Sequence, residues 1–126
     1  MTKKEVMELL SGYRKAMWVV AACDEECRMA DADAGCRQAA AARLIAAKEQ
    51  ARRARERIEH AADMLLDRRC AVVIRMRYLH LVKSNSRKAY RLRRWRDIAA
   101  IVHYGMSTVK RVHTEAIQLL MHYETL

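Results

Sequence analysis

Four side chains near the end of the chain have the types and the spacing to read a nucleic acid. Ser107, Lys110, Arg111 and Thr114 stand at i, i+3, i+4 and i+7, so a helix would carry them on one face. Met106 lies at the start of that segment, and Thr108 and His113 lie at the margins of the face. Hydroxyls near a helix start can meet phosphate oxygens or base edges, while Lys and Arg can donate to guanine in a major groove. The plain alternative is a solvated helix face, which has the same residue types. What separates the two is the surroundings.

Those surroundings are strongly positive. The chain has 126 residues and a formal net charge of +10, distributed unevenly. Residues 1 to 35 have 5 basic and 7 acidic side chains, residues 36 to 66 have 7 and 4, and residues 67 to 126 have 13 and 4. The excess thus gathers around the four residues, as expected where one end of a protein meets a polyanion and the other meets protein. A basic segment at about 83–94 precedes them, and Arg87, Lys88, Arg91, Arg93, Arg94 and Arg96 are its candidate phosphate contacts.

Other chemistry finds little support. Cys23, Cys27 and Cys36 invite a metal, since residues four apart on a helix can share a ligand, but no fourth Cys or His is near and Asp24 is a weak substitute. The expectation is reduced thiols, no metal and no cofactor. Five histidines and fifteen acidic residues come with no recognisable nucleophile, phosphate loop or metal spacing, so no enzyme is expected. His80 and His103 read as surface or turn residues. His113 either packs under its helix or reaches a phosphate, and Trp18 and Trp95 read as packing anchors.

The elements that must position the four residues are helices. With 52% hydrophobic residues, no Pro, no Phe and three Gly, the composition predicts an all-α fold. Val6, Leu9, Tyr13, Ala16, Val20, Cys23 and Cys27 follow 3 and 4 spacing, a helix from Lys3 to about Arg28 with Gly12 as a weak point inside it. After a break at "MADADAGC", Leu44, Ala47, Ala51, Ala54, Ile58, Ala61 and Leu65 mark a longer helix from about Arg37 to Leu66. Its half-alanine seam allows close approach, so residues 1–66 are expected to form an antiparallel helical hairpin serving as a protein-contact arm. A dimeric coiled coil is the rival, which keeps a homodimer in view.

Residues 67–126 are expected to form the second unit. Asp67 can cap a helix whose Cys70, Val73, Ile74, Met76 and Tyr78 supply a small core. The segment after it has no apolar period and reads mostly as a surface loop. Trp95, Ile98, Ala99 and Val102 then form one apolar face, and Met106, Val109, Val112, Ala116, Ile117 and Leu120 form another. Only "HYG" separates them, so the two helices must cross steeply, with Ala99 at the crossing and Gly105 relieving the backbone. "AMWVVAAC" falls far short of the roughly 20 residues that a membrane span needs, and no signal peptide or anchor is read.

"VVIRMRYL" followed by "WRDIAAIVHYGMSTVKRVHTEAIQLL" resembles region 4 of the sigma-70 family and, more closely, phage transcriptional regulators of the RinA/ArpU type. The matching positions are Arg77-Tyr78-Leu79, Trp95, Ile98-Ala99, Tyr104, Val109, His113 and Ala116-Ile117, over roughly residues 65 to 121. The resemblance implies a sigma-region-4-like helix-turn-helix, with Met106, Ser107, Thr108, Lys110 and Arg111 on the recognition helix and Ile98, Ala99, Val109 and Val112 in its framework. Three positions depart from the pattern. Gly105 stands where a Ser is usual, His103 where a small residue is usual, and the connection into Trp95 is longer.

The expected function is a phage or prophage regulator of transcription that binds double-stranded DNA in the bacterial cytoplasm at the nucleoid. Two rivals stand beside it: a sigma-like adaptor that binds RNA polymerase and contacts DNA weakly, and a DNA-packaging component resembling a small terminase subunit.

Overall fold

Three of the helix starts are written into polar side chains. In the computed structural model, which describes residues 1–30, 33–83 and 90–126, Thr2 and Glu5 form a reciprocal capping box at the start of α1, Lys3–Met29. The Asp33 carboxylate accepts the Gly35 N–H at the start of α2, Ala34–Met64. Asp67 does the same for Arg69, at 2.9 Å, at the start of α3, Arg68–Tyr78. Two-residue strands β1, Val82–Lys83, and β2, Tyr90–Arg91, pair antiparallel with Val82 opposite Arg91. Helices α4, Trp95–Val102, and α5, Met106–Met121, follow. Helix covers 79% of the structure and the sheet is minimal, so the fold is all-α. Among the described residues no helix is long and apolar enough to cross a membrane.

Helices α1 and α2 lie antiparallel. Gly12 faces Ala54, the Arg55 guanidinium stands 5.7 Å from the Tyr13 ring, and Arg43 pairs with Glu26, so partners descend α2 as they ascend α1. Ala47, Ala51, Ala54, Ile58, Ala61 and Leu65 are buried as their spacing predicts, whereas Leu44, the first residue of that seam, is only half-buried. On α1 only Val6 and Leu10 are fully buried, whereas Leu9, Tyr13, Ala16, Val20, Cys23 and Cys27 are half-buried. The reason is geometric, since beyond Leu10 the helix has α2 as its main partner, and a two-helix layer encloses the small alanines of α2 but not larger side chains.

At the base of the hairpin, Val6, Leu10, Ile58 and Ala61 join Cys70, Ile74 and Tyr78 of α3, Ile98 of α4, and Val109, Val112 and Leu120 of α5 in one cluster. Each Leu or Ile fully enclosed there contributes about 2 kcal/mol. Burial raises the pKa of the Cys70 thiol, which donates to the Val112 carbonyl at 3.8 Å.

Several expectations need correction. The segment around 83–94 is not simply a loop, because β1 and β2 give it a short hairpin base. Trp18 is no buried anchor. The residue is 52% exposed, and its indole N–H donates to the Tyr90 carbonyl at 2.7 Å, fastening β2 to α1. Met76 is only partly buried at the edge of the core, and Met106 is exposed. The backbone relief expected at Gly105 falls instead on His103, whose φ of 60° is left-handed, while Gly105 has an ordinary φ of −68°.

Candidate nucleic-acid interface

The α4–α5 pair is held by a three-residue connection. The His103 and Tyr104 N–H groups both donate to the Ala99 carbonyl, closing α4, and Ala99 is itself buried, which leaves room for the chain to turn there. α5 then buries Val109, Val112, Ala116, Ile117 and Leu120. The opposite face follows from the helical period: Ser107, Lys110, Arg111 and Thr114 are all exposed, with Thr108 half-buried at the margin and Met106 exposed at the start. The helix thus brings every residue expected on its outward face to one side.

Their bonding leaves that face available. The Thr114 hydroxyl donates to the Lys110 carbonyl at 3.0 Å, which leaves its oxygen free to accept. Arg111 approaches Glu115 at 3.9 Å, with both side chains largely exposed. A pair so long and so wet contributes little. Ser107 and Lys110 make no side-chain hydrogen bond or ion pair to a described residue. Gly105 offers no side-chain cap, so the first N–H groups of α5 have no capping side chain.

A packed cluster fixes the orientation of α5. Tyr78 Oη and His113 Nε2 are hydrogen-bonded at 2.7 Å, and the Trp95 ring meets the His113 ring edge-on at 4.8 Å. The Arg77 guanidinium lies 4.2 Å from the centre of the Trp95 ring and also donates to the Arg93 carbonyl. Arg93 in turn donates to the His80 carbonyl at 3.3 Å. The chain entering α4 is therefore clamped to the end of α3. Desolvation holds the His113 pKa down to about 4, with Arg77 and Lys3 adding to the effect. Burial also lowers the Arg77 pKa and raises that of Tyr78. Of the two alternatives for His113, the structure shows packing.

The basic residues ahead of α4 divide. Arg94, at the N-cap of α4, and Arg96, in its first turn, are exposed. Arg91 and Arg93 are half-buried, and Arg91 donates to the Leu92 carbonyl at 3.3 Å. Arg87 and Lys88 lie outside the described residues. Cys23 and Cys27 are half-buried on α1, and Cys36 is exposed on α2 with its thiol 3.6 Å from the Asp33 carboxylate. Among the described residues no three His, Cys, Asp or Glu side chains gather into a metal-binding group.

Sequence reasoning missed two features. One is the Arg77 clamp, whose signal was a charge interrupting the apolar pattern of α3. The other is a pocket of about 190 Å3 lined by Arg68, Arg69, Val72, Val102 and Tyr104, beside an Ile101 that is 50% exposed. Its apolar members come from two helices and gave no common period. No family model, curated protein or solved structure matches this chain.

Proposed function

We propose that the protein is a sequence-specific DNA-binding regulator of transcription, of phage or prophage type, that reads the major groove with α5. The observation that carries this is the outward face of α5: Ser107, Lys110, Arg111 and Thr114 aligned and exposed on a helix whose other face is locked into the core. An α-helix fits the roughly 12 Å major groove, and hydroxyl and cationic side chains are the types that read its edges. The net +9 of residues 67 to 126 and the resemblance to RinA/ArpU-type regulators lend further support. Arg94 and Arg96 are positioned to hold phosphates, and the antiparallel hairpin would serve as the protein-contact arm, through which a homodimer would form.

Selection from a random duplex pool near physiological salt tests the proposal, with Lys110→Ala/Arg111→Ala alongside. One motif enriched by the wild-type protein and not by the variant is the expected result. Binding that enriches nothing and collapses as salt rises would refute sequence reading, since phosphate contacts alone behave in that way.

The apolar pocket at Val72, Val102 and Tyr104 favours a second reading, an adaptor that docks on RNA polymerase and touches DNA only within that complex. Polymerase capture that survives Lys110→Ala/Arg111→Ala and is lost in Val72→Asp would favour it.

A further inference from the structure

We propose that Lys3, in the first turn of α1, is a DNA-phosphate contact that extends the recognition surface from α5 onto the N-terminal helix. This rests on the reading of α5 as a groove-binding helix. Nothing along the chain joins the two, because Lys3 belongs to the acidic end and lies more than a hundred residues from Thr114. The fold joins them. A cleft of about 400 Å3 between α1 and α5 is lined by Lys3 and Met7 on one side and by His113, Thr114, Ile117, Gln118 and Met121 on the other; its walls are largely apolar, and its exposed members are the polar Lys3, Thr114 and Gln118.

Three observations point to a phosphate strand lying across these exposed polar groups. Thr114 belongs both to the outward face of α5 and to the cleft, so the two surfaces are continuous. None of the residues lining the cleft is acidic, and Lys3, which is exposed, has no ion pair to a described residue. The nearby Glu5 is turned back to Thr2, from which it accepts at 3.3 and 3.1 Å. The third is length. At 1.5 Å per residue, Ser107 to Gln118 spans about 16 Å, longer than the roughly 12 Å width of the major groove. A helix with its first turns in the groove therefore brings Thr114 and Gln118 out over a bounding strand, and Lys3 stands beside them there.

The test measures affinity from 50 to 200 mM potassium chloride for the duplex that the wild-type protein selects. It uses the wild-type protein, Lys3→Gln and Lys4→Gln, since Lys4 is also exposed but does not line the cleft. Lys3→Gln is expected to reduce the salt slope by about 0.9, so that its disadvantage shrinks roughly 3.5-fold across that range. The selected motif should stay the same and Lys4→Gln should match the wild type. An unchanged slope for Lys3→Gln, or equal reductions in both variants, would overturn the proposal, the second because it would reduce Lys3 to diffuse attraction. A wild-type protein that binds no duplex would overturn the reading of α5 itself.

Discussion

Acid should destabilise this protein through His113 well before its carboxylates matter. The ring is enclosed by Tyr78 and Trp95, with Arg77 and Lys3 near it, and its pKa is held at about 4 against an ordinary 6.5. Between those values the unfolded chain takes up a proton that the folded chain refuses. The folded state therefore has its full advantage above pH 6.5, loses it as pH falls toward 4, and loses no more below that. A shift of this size corresponds to about 3.4 kcal/mol at most. Because the ring retains some solvent contact, screening reduces the expected loss to about 2 kcal/mol. Urea unfolding of the wild-type protein and of His113→Gln at pH 7.0, 5.5 and 4.5 measures it. The variant is expected to be the less stable at pH 7, because it loses the bond to Tyr78, and the gap should narrow by about 2 kcal/mol at pH 4.5. The difference between the two proteins cancels carboxylates such as Glu49, which exposed arginines hold down to about 2. A gap that stays constant with pH would refute the enclosed, neutral ring, and a gap that widens would reverse the sign of the linkage.

Two further predictions concern the backbone. His103→Gly should relieve a left-handed residue that costs about 1–2 kcal/mol, less about 0.5–1 kcal/mol for the freedom that glycine adds to the unfolded chain. The net gain of about 0–1.5 kcal/mol raises Tm by up to roughly 6 °C, and a lower Tm in calorimetry would contradict it. Gly12→Ala places a methyl group 3.9 Å from the Ala54 Cβ, an ordinary contact, inside a long helix. It should stabilise the protein by about 0.5–1 kcal/mol, seen as a higher urea midpoint, and a lower midpoint would mean that the two helices approach more closely there.

The parts of this molecule that could be read from its sequence are those set by neighbours in the chain. The alanine seam of α2, the Asp67 cap and the outward stripe of α5 each follow from a period or a cap within a dozen residues, and the structure has all three. What escaped depends on distant partners. Two residues per strand give no pattern, and β2 is fastened through a bond from Trp18, 72 residues away. The same holds for Arg77, whose role exists only because Trp95 and Arg93 arrive beside it. At the turn, two near neighbours compete for the strained backbone position. A glycine two residues after His103 drew the expected strain to itself, although the helix geometry required the left-handed residue directly after Val102.

Because Leu10 and Ile58 anchor the hairpin in the same cluster as α4 and α5, the hairpin and the α4–α5 pair turn together. From Leu10 to Met29 the rise is about 28 Å, which makes α1 and α2 a stiff lever with its fulcrum in the core. A 10° tilt of α5 would move the far end by roughly 5 Å, on the geometry of that rise. A small adjustment at α5 would thus become a displacement as wide as a side chain at the far end of the hairpin.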